Sequence, residues 1–550
     1  MKLLDVYVNL EKEFSKRGFN LYIVGGTSRD MILGRKVLDF DFVTDAKIDE
    51  MDSFLNVKTK YNNVGSMTIE FEGKQIDLTT LRKESDYNDY RHPSEVIYVK
   101  TPKEDAARRD FTINALYFDK NGNLLDFYGG MDDIRSRLIR MIGDADKRIK
   151  EDPLRILRAL RFSLILGFDI DNDILNAIKN NSHLLKELNY AKCLVEIKKM
   201  YAYNKQKAIK MLKEYGIDYY IPIEYGYEEV PVIDMHCDTI TRNSVSEDGI
   251  YSNEDLHIDI KKMMKSHYML QCFAVFIYLG ASGSPFERAN KYIDLFEKQM
   301  ELNKNLITPV THYSQVMNAF SQNKIAALLT IEEGGVLEGN IDNLQHFYNR
   351  GVRMMSLTWN FKNEISSPNL LTGTNDLTRI DTEHGLTPFG IEVVKKMNKL
   401  GMIIDVSHLS DAGFYDVIKY SVVPIVASHS DARAVNNCGR NLSDDMIKKI
   451  AEKHGLIGIN FCPDFLKFNN SANDQVEEMV KHIKHIKEIG GIRTVALGTD
   501  FDGIPTPKGL EDASKMTKLS KRLLEEGFTQ DEVEQIFYKN FLRLLKRVCK

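Results

Sequence analysis

The sequence predicts a multidomain chain of two fold classes. An α+β region with a helical extension runs to about residue 228, and a (β/α)8 barrel of the TIM type runs from about 231 to the end. Three observations carry this. A chain of 550 residues is longer than one hydrophobic core holds. Residues 146–215 are helical in pattern and rich in Leu, Ile, Lys and Arg, whereas beyond about 225 short β-branched runs alternate with helical stretches. Eight such runs follow, near residues 231–236, 272–278, 324–332, 352–359, 402–408, 422–429, 456–461 and 494–500. Buried strands alternating with helices make a parallel sheet, and eight of them close a barrel.

The composition, 43% hydrophobic and 28% charged, excludes a disordered chain. No apolar run is long enough to span a bilayer. MKLLDVYVNLEKEFSKRG reads as an amphipathic helix and lacks the apolar core of a signal peptide, so a cytoplasmic protein with no membrane partner is expected. Six scattered cysteines, none in a CxxC pair, argue against a disulfide framework or a thiolate zinc cluster.

After the first helix comes YIVGGTSRDMILGRKVLDFDFVTD, residues 22–45. A strand followed by Gly25-Gly26 lets the backbone approach phosphates. Asp39 and Asp41 alternate, and on a strand both would face one side and share Mg²⁺. Asp77 in QIDLTTLR is a third candidate carboxylate. EDAARRDFTINAL supplies Arg109, Asp110 and Asn114. EDPLRILRALRF opens the helical part, with Asp152 as N-cap, Pro153 in the first turn and Arg155 three residues on, on the same face. Residues 131–213 carry 18 basic and 11 acidic side chains, an excess that suits a phosphate-bearing partner.

As a set, these motifs resemble the head and neck of class II CCA-adding enzymes and bacterial poly(A) polymerases, from about residue 20 to 225. The resemblance implies a nucleotidyltransferase head over 1–145 and a helical neck with a truncated body over 146–228. It implies a template-independent transfer from CTP or ATP to an RNA 3′ end, including that of transfer RNA. Asp39 and Asp41 would be catalytic and hold Mg²⁺. Gly25, Gly26, Arg29, Asn114 and Arg158 would line the nucleotide site, and Arg109 and Asp110 would contact the ribose. Asp152 and Arg155 would read the base, with Glu151 in support. Ser28 stands where the family usually has Val. The alternative is a non-catalytic RNA-binding module.

The stretch IPIEYGYEEVPVID, with two prolines and a glycine, suits a boundary. Beyond it, His236 and Asp238 end the first run, Glu332 and Glu333 the third, His408 the fifth, His429 the sixth and Asp500 the eighth. Strand C-termini build the active site of such barrels, so these residues converge at one mouth. Imidazole with carboxylate suits zinc or a similar divalent ion.

DMHCDT, IEEGG, GLTPFGIEVVKKMNKLGMIIDVSHLSD, SHSDARAVNNCGRNLSDD and GTDFDG resemble the membrane (renal) dipeptidase family in order and spacing, over essentially all of 231–550. The resemblance implies two zinc ions and hydrolysis of dipeptides. His236 and Asp238 would hold one metal and His408 and His429 the other, bridged by Glu332, with Glu333 the fallback. Arg440 would grip the substrate α-carboxylate, and Asp500 would be the catalytic proton-transfer group. Trp359, in SLTWNF, occupies the place of a histidine that polarises the scissile carbonyl, and so becomes a substrate-binding residue. The alternative is another binuclear amidohydrolase acting on a lactone or cyclic amide. A monomer and a homodimer are both open.

Overall fold

The computed structural model of the chain describes residues 3–549 apart from 38, 56, 58, 63–64, 85–95, 227, 243–248 and 468–474. The chain divides into two compact units, residues 1–223 and 224–550. The division falls inside the proline- and glycine-marked junction.

The first unit opens with the helix Leu3–Ser15. Its residues Val6, Tyr7, Leu10 and Phe14 recur at helical spacing and are buried with Leu21, Ile23 and Phe42 of the sheet. The sheet comprises β1 (Leu21–Ile23), β2 (Phe40–Thr44), β3 (Thr59–Asn62), β4 (Ser66–Phe71) and β5 (Lys74–Thr80). Strands β6 (Arg82–Glu84) and β7 (Val96–Tyr98) form a separate ribbon, and β8 (Leu116–Phe118) and β9 (Leu124–Asp126) complete the sheet, in the order β3-β4-β5-β2-β1-β8-β9. Strands β2 and β5 are parallel and set Asp41 opposite Asp77. Five α-helices follow among the described residues, Gly130–Ser136, Ala145–Glu151, Leu154–Leu166, Asn172–Asn181 and Tyr190–Glu214, with the short pair β10 (Leu138–Ile139) and β11 (Asp169–Ile170) beside them. The last of these helices is kinked at Asn204, whose φ of −164° and ψ of 104° leave the helical region.

The second unit is the expected parallel barrel: β12 (Val232–Asp234), β13 (Tyr268–Phe276), β14 (Ile307–Val310), β15 (Ile325–Glu332), β16 (Met354–Ser356), β17 (Ile403–Asp405), β18 (Val426–Ala427), β19 (Leu456–Ile459) and β20 (Val495–Leu497). Eight of these are the eight apolar runs. The ninth, β14, was not expected. It pairs with the first half of β15, at Ile325–Leu328, and β16 takes over from Thr330. Ile307-Thr308-Pro309-Val310 is buried only at its two ends and carries a proline, which masks it as a strand in the sequence. The last strand returns to the first: the Met235 N–H donates to the Leu497 carbonyl at 2.9 Å and that of Asp238 to Phe501 at 2.9 Å. Helices between strands carry strong termini. In Pro388–Leu400, Thr387 accepts from the Gly390 N–H, proline occupies the first turn, and Gly401 ends the helix with φ +73°. Inside the barrel a Cβ on Gly458 or Gly498 would strike the Ser428 carbonyl, so only glycine allows these three strand ends to meet.

Candidate functional site

The metal-type side chains at the strand ends do meet. His236, Asp238, Glu332, His408, His429 and Asp500 are all buried. The Oε1 of Glu332 lies 2.9 Å from His408 Nε2 and 3.4 Å from His429 Nε2, while its Oε2 lies 3.4 Å from His236 Nε2. The two oxygens of one carboxylate thus face two separate groups. On one side, Asp238 comes within 3.6 Å of His236 Nε2, and the His236 ring stacks on that of His429 with centroids 3.9 Å apart. On the other, His408 Nε2 and His429 Nε2 are 3.0 Å apart. Asp500 Oδ1 lies 4.0 Å from His236 Nε2, and its Oδ2 accepts from Asn460 at 2.9 Å.

These donors fit divalent cations. The His236 Nε2 and the Asp238 Oδ1 are buried with no hydrogen-bond partner. His408 Nδ1 lies 2.9 Å from the amide oxygen of Asn360, an acceptor only. Its proton is therefore on Nδ1, and Nε2 presents a lone pair to the centre. Imidazole nitrogens and carboxylate oxygens gathered in one buried site are stable only around positive charge. Three overlapping groups have the reach of metal ligands: His236, Asp238 and Glu332; Glu332, His408 and His429; and His236, His429 and Asp500. Burial, with Asp238 and Glu332 close by, raises Asp500 to about 8 against the pull of His236. Backbone strain gathers here too: His408 and Asp500 adopt φ of +69° and +61°.

Glu333 faces away from this centre. It accepts from the N–H groups of Gly335 at 2.7 Å and Trp359 at 3.0 Å and from the Asn363 amide at 2.5 Å. It shapes the turn that carries Trp359. The Trp359 ring sits among Phe276, Tyr278 and Phe361, with centroids 4.9, 6.1 and 6.0 Å away, and lies 6.1 Å from the His408 ring. The buried Arg440 donates to the His429 carbonyl at 3.0 Å and the Ser430 hydroxyl at 3.3 Å, and its Nε has no partner. Sequence reasoning missed Asn360, Asn460 and Asp405. The repeated Ser-His dipeptides at 407–408 and 428–429 are a signal that could have led to the last of these.

In the first unit the expected residues are partly assembled. The Asp41 carboxylate lies against Gly25 and Gly26, where a Cβ on Gly25 would stand 3.3 Å from Oδ2. Burial raises its pKa, Arg109 opposes, and Asp77 and Asp39 raise it further. One expectation needs correction: Asp39 precedes β2 and is not on the strand with Asp41, and Thr27 ties the two positions by donating to the Asp39 carbonyl and accepting from the Asp41 N–H. Gly25 follows β1 and opens the helix Gly25–Ile32 directly, with φ +70°. Asp152 ends one helix and its carboxylate accepts from the Leu154 N–H of the next, while Arg155 reaches Glu151 at 3.2 Å and the Arg148 carbonyl, one turn and more back. Among the described residues no group of three metal-type donors is as close here as in the barrel.

Arg109 and Asp110, expected at a ribose, are held by protein partners. Asp105 pairs with Arg109 at 3.1 Å, and Tyr117 accepts from Arg109 at 2.9 Å. Asp110 pairs with Arg158 at 2.6 Å and accepts from Asn114, which in turn accepts from Arg29 at 2.7 Å. The Phe162 ring lies under Arg29, Arg158 and Arg161. Burial opposes ionisation of Asp110, but Arg158 and Asn114 outweigh it and hold it at about 2. A depressed pKa contributes stability above the unfolded value near 3.9, lost as pH falls through about 2, and worth on the order of 2 kcal/mol. Asp110→Asn should therefore weaken the first unit at neutral pH and flatten its acid transition between about pH 4 and 2. Circular dichroism during acid titration checks this, and an unchanged transition would contradict the role given to the Asp110–Arg158 pair.

With this geometry established, the family description "Membrane dipeptidase (Peptidase family M19)" matches residues 226–550, more than half of the chain. The chain belongs to the membrane dipeptidase family. The barrel resembles the solved dipeptidase AC, a metallopeptidase of family M19, with a TM-score of 0.53 and 23% identity over 58% of this chain and 99% of that one. A metallopeptidase from Rhodobacter sphaeroides, liganded with a phosphinate mimic of the dipeptide L-Ala-D-Ala, gives 0.53 and 22% over 58% and 99%. Both likenesses concern the fold. Residues 21–140 match the poly(A) polymerase head domain. The CCA-adding enzyme of Geobacillus thermodenitrificans is 37% identical over 216 residues, 38% of this chain and 53% of that one. That of Bacillus licheniformis is 42% identical over 192 residues, 35% and 48%. The chain spans about half the length of the curated relatives it matches. This dipeptidase-family chain thus joins an M19 hydrolase domain to a CCA-adding nucleotidyltransferase-like domain. Among its described residues no helix is long and apolar enough to cross a membrane.

Proposed function

We propose that the barrel hydrolyses dipeptides with two zinc ions, one held by His236, Asp238 and Glu332 and the other by Glu332, His408 and His429. The observation that carries this reading is the Glu332 carboxylate, which turns one oxygen to His236 and the other to His408 and His429. Two divalent cations supply Lewis-acid polarisation and a strongly acidified water. The rest falls to the chain. Arg440 receives the substrate α-carboxylate through its unpartnered Nε, and its planar fork fixes the dipeptide's direction. Asp500, oriented by Asn460, moves the proton from the attacking water to the leaving amine. Trp359 and its aromatic neighbours exclude water from one wall of the site. Metal analysis and a substrate panel test this together. About two zinc equivalents with cleavage of dipeptides support it. A protein that cleaves lactones or cyclic amides and leaves dipeptides intact would turn out to be another amidohydrolase.

Trp359 carries a prediction of its own. Indole donates through one N–H and cannot become a cation as imidazole can. One good oxyanion contact is worth roughly 2.7–4 kcal/mol. Trp359→His should therefore raise turnover on glycyl and alanyl dipeptides, measured as kcat with metal content held constant. Loss of activity with both metals retained would place Trp359 in substrate binding instead.

For the first unit, nucleotidyl transfer from CTP or ATP to an RNA 3′ end, with Mg²⁺ at Asp39 and Asp41, is supported by the match to the head domain and by Asp41 lying against the Gly25-Gly26 turn. The RNA-binding reading without catalysis is favoured by the pairing of Arg109 and Asp110 with protein partners. Mg²⁺-dependent incorporation of labelled CTP or ATP separates the two.

A further inference from the structure

Each of two strand ends that carry a site histidine reads Ser-His, at Ser407-His408 and Ser428-His429, and one buried carboxylate lies between them. Asp405 closes β17, three residues before His408. Its Oδ1 accepts from the Ser407 N–H at 3.0 Å and from the Ser428 N–H at 2.8 Å. Its Oδ2 accepts from the Ser428 hydroxyl at 2.5 Å and the Ser356 hydroxyl at 2.5 Å. Asp405 is 1% exposed and ends up with four donors, a full complement for an ionised carboxylate. The Ser428 oxygen in turn lies 2.7 Å from His429 Nδ1. Because the Ser428 proton is committed to Asp405, its oxygen is the acceptor and Nδ1 carries the hydrogen. The His429 Nε2 is then a bare lone pair, aimed at Glu332 and His408.

We propose that Asp405, acting through Ser428, is a positioning residue that fixes the tautomer and aim of His429, and so sets the affinity of the cation between Glu332, His408 and His429. This rests on the two-metal reading of the barrel. The arrangement is one-sided: the chain Asp405–Ser428–His429 ends on one imidazole, against which the His236 ring stacks. The tightness of the surrounding backbone adds to it. Ser428 stands where Gly458 and Gly498 press against its carbonyl, so its side chain is delivered to Asp405 by the closure of the barrel itself. A carboxylate bonded through a hydroxyl raises the basicity of the imidazole beyond it, and such outer partners typically govern metal affinity by 10–100-fold.

The experiment is a titration of metal-free wild type, Ser428→Ala and Asp405→Asn with Zn²⁺ against a competing chelator, repeated with Co²⁺ to read the visible spectrum of each site. Wild type should take two equivalents. In both variants one equivalent should keep its wild-type affinity and the other weaken by about 10–100-fold, with loss of one set of Co²⁺ bands. Thermal unfolding of the metal-free proteins serves as the control: Ser428→Ala removes a single oxygen and should unfold cooperatively like wild type. If Asp405→Asn does not fold, Ser428→Ala alone decides. Two equivalents bound at wild-type affinity in Ser428→Ala would overturn the proposal, and so would equal weakening of both, which is what a general loss of structure produces. A wild type that takes no metal would instead overturn the two-metal reading, and this proposal with it.

Discussion

Glu332→Gln should lower kcat/KM for dipeptides by at least about a thousandfold, because it removes roughly 4 kcal/mol of electrostatic stabilisation. Glutamine has the shape of glutamate but not its charge. In its place the imidazoles of His236, His408 and His429 would converge on a neutral amide, one arm of which donates hydrogens toward lone pairs or cations. Metal content should fall from about two equivalents to one or fewer, since both proposed ligand groups use this carboxylate. Glu333→Gln gives the opposite pattern. Its carboxylate holds the N–H groups of Gly335 and Trp359, so that change should lower Tm and leave the metal count intact. Steady-state kinetics with elemental analysis of the same samples checks both. Retention of two equivalents and normal turnover in Glu332→Gln would remove the bridging role, and loss of metal in Glu333→Gln would transfer it one residue along the chain.

The double change Asp39→Ala and Asp41→Ala should abolish nucleotide incorporation while leaving dipeptide hydrolysis unchanged. Asp41 is the better anchored of the two, packed against Gly25 and Gly26 and opposite Asp77 on β5, whereas Asp39 is exposed just before β2. If these carboxylates hold the cations that neutralise a triphosphate, as proposed, their removal leaves the leaving group short of counter-charge. The residues lie in a different unit from the barrel centre, so the two activities should respond independently. Primer extension with labelled nucleotide, run beside the dipeptidase assay, reads both. Extension surviving the double change would reject the assignment. Single Asp39→Ala, at an exposed position, guards against a folding artefact.

Some of this was legible in the chain because local pattern determines it. Eight apolar runs separated by capped helices specify a parallel barrel, since strands buried on both faces must be apolar throughout. The rule that barrel sites sit at strand C-termini was enough to pick His236, Asp238, Glu332, Glu333, His408, His429 and Asp500. All but Glu333 come together. Glu332 and Glu333, adjacent in sequence, point to opposite faces of a strand end, and only the tertiary structure shows that Glu332 is the one that meets the histidines. The strand β14 was hidden because a proline-bearing edge segment has no continuous apolar pattern. In the first unit the motifs were visible but their partners were not. Asp110 finds Arg158, 48 residues away, and Asn114 finds Arg29, 85 residues away. Helical spacing puts Asp152 and Arg155 on one face, but only the structure shows that the Arg155 guanidinium reaches Glu151 and the Arg148 carbonyl. The residue types and their strand positions were written in the sequence. The network through Asn360, Asn460, Ser428 and Asp405 depends on three-dimensional proximity, because buried hydrogen-bonding groups pair by position in space and not by distance along the chain.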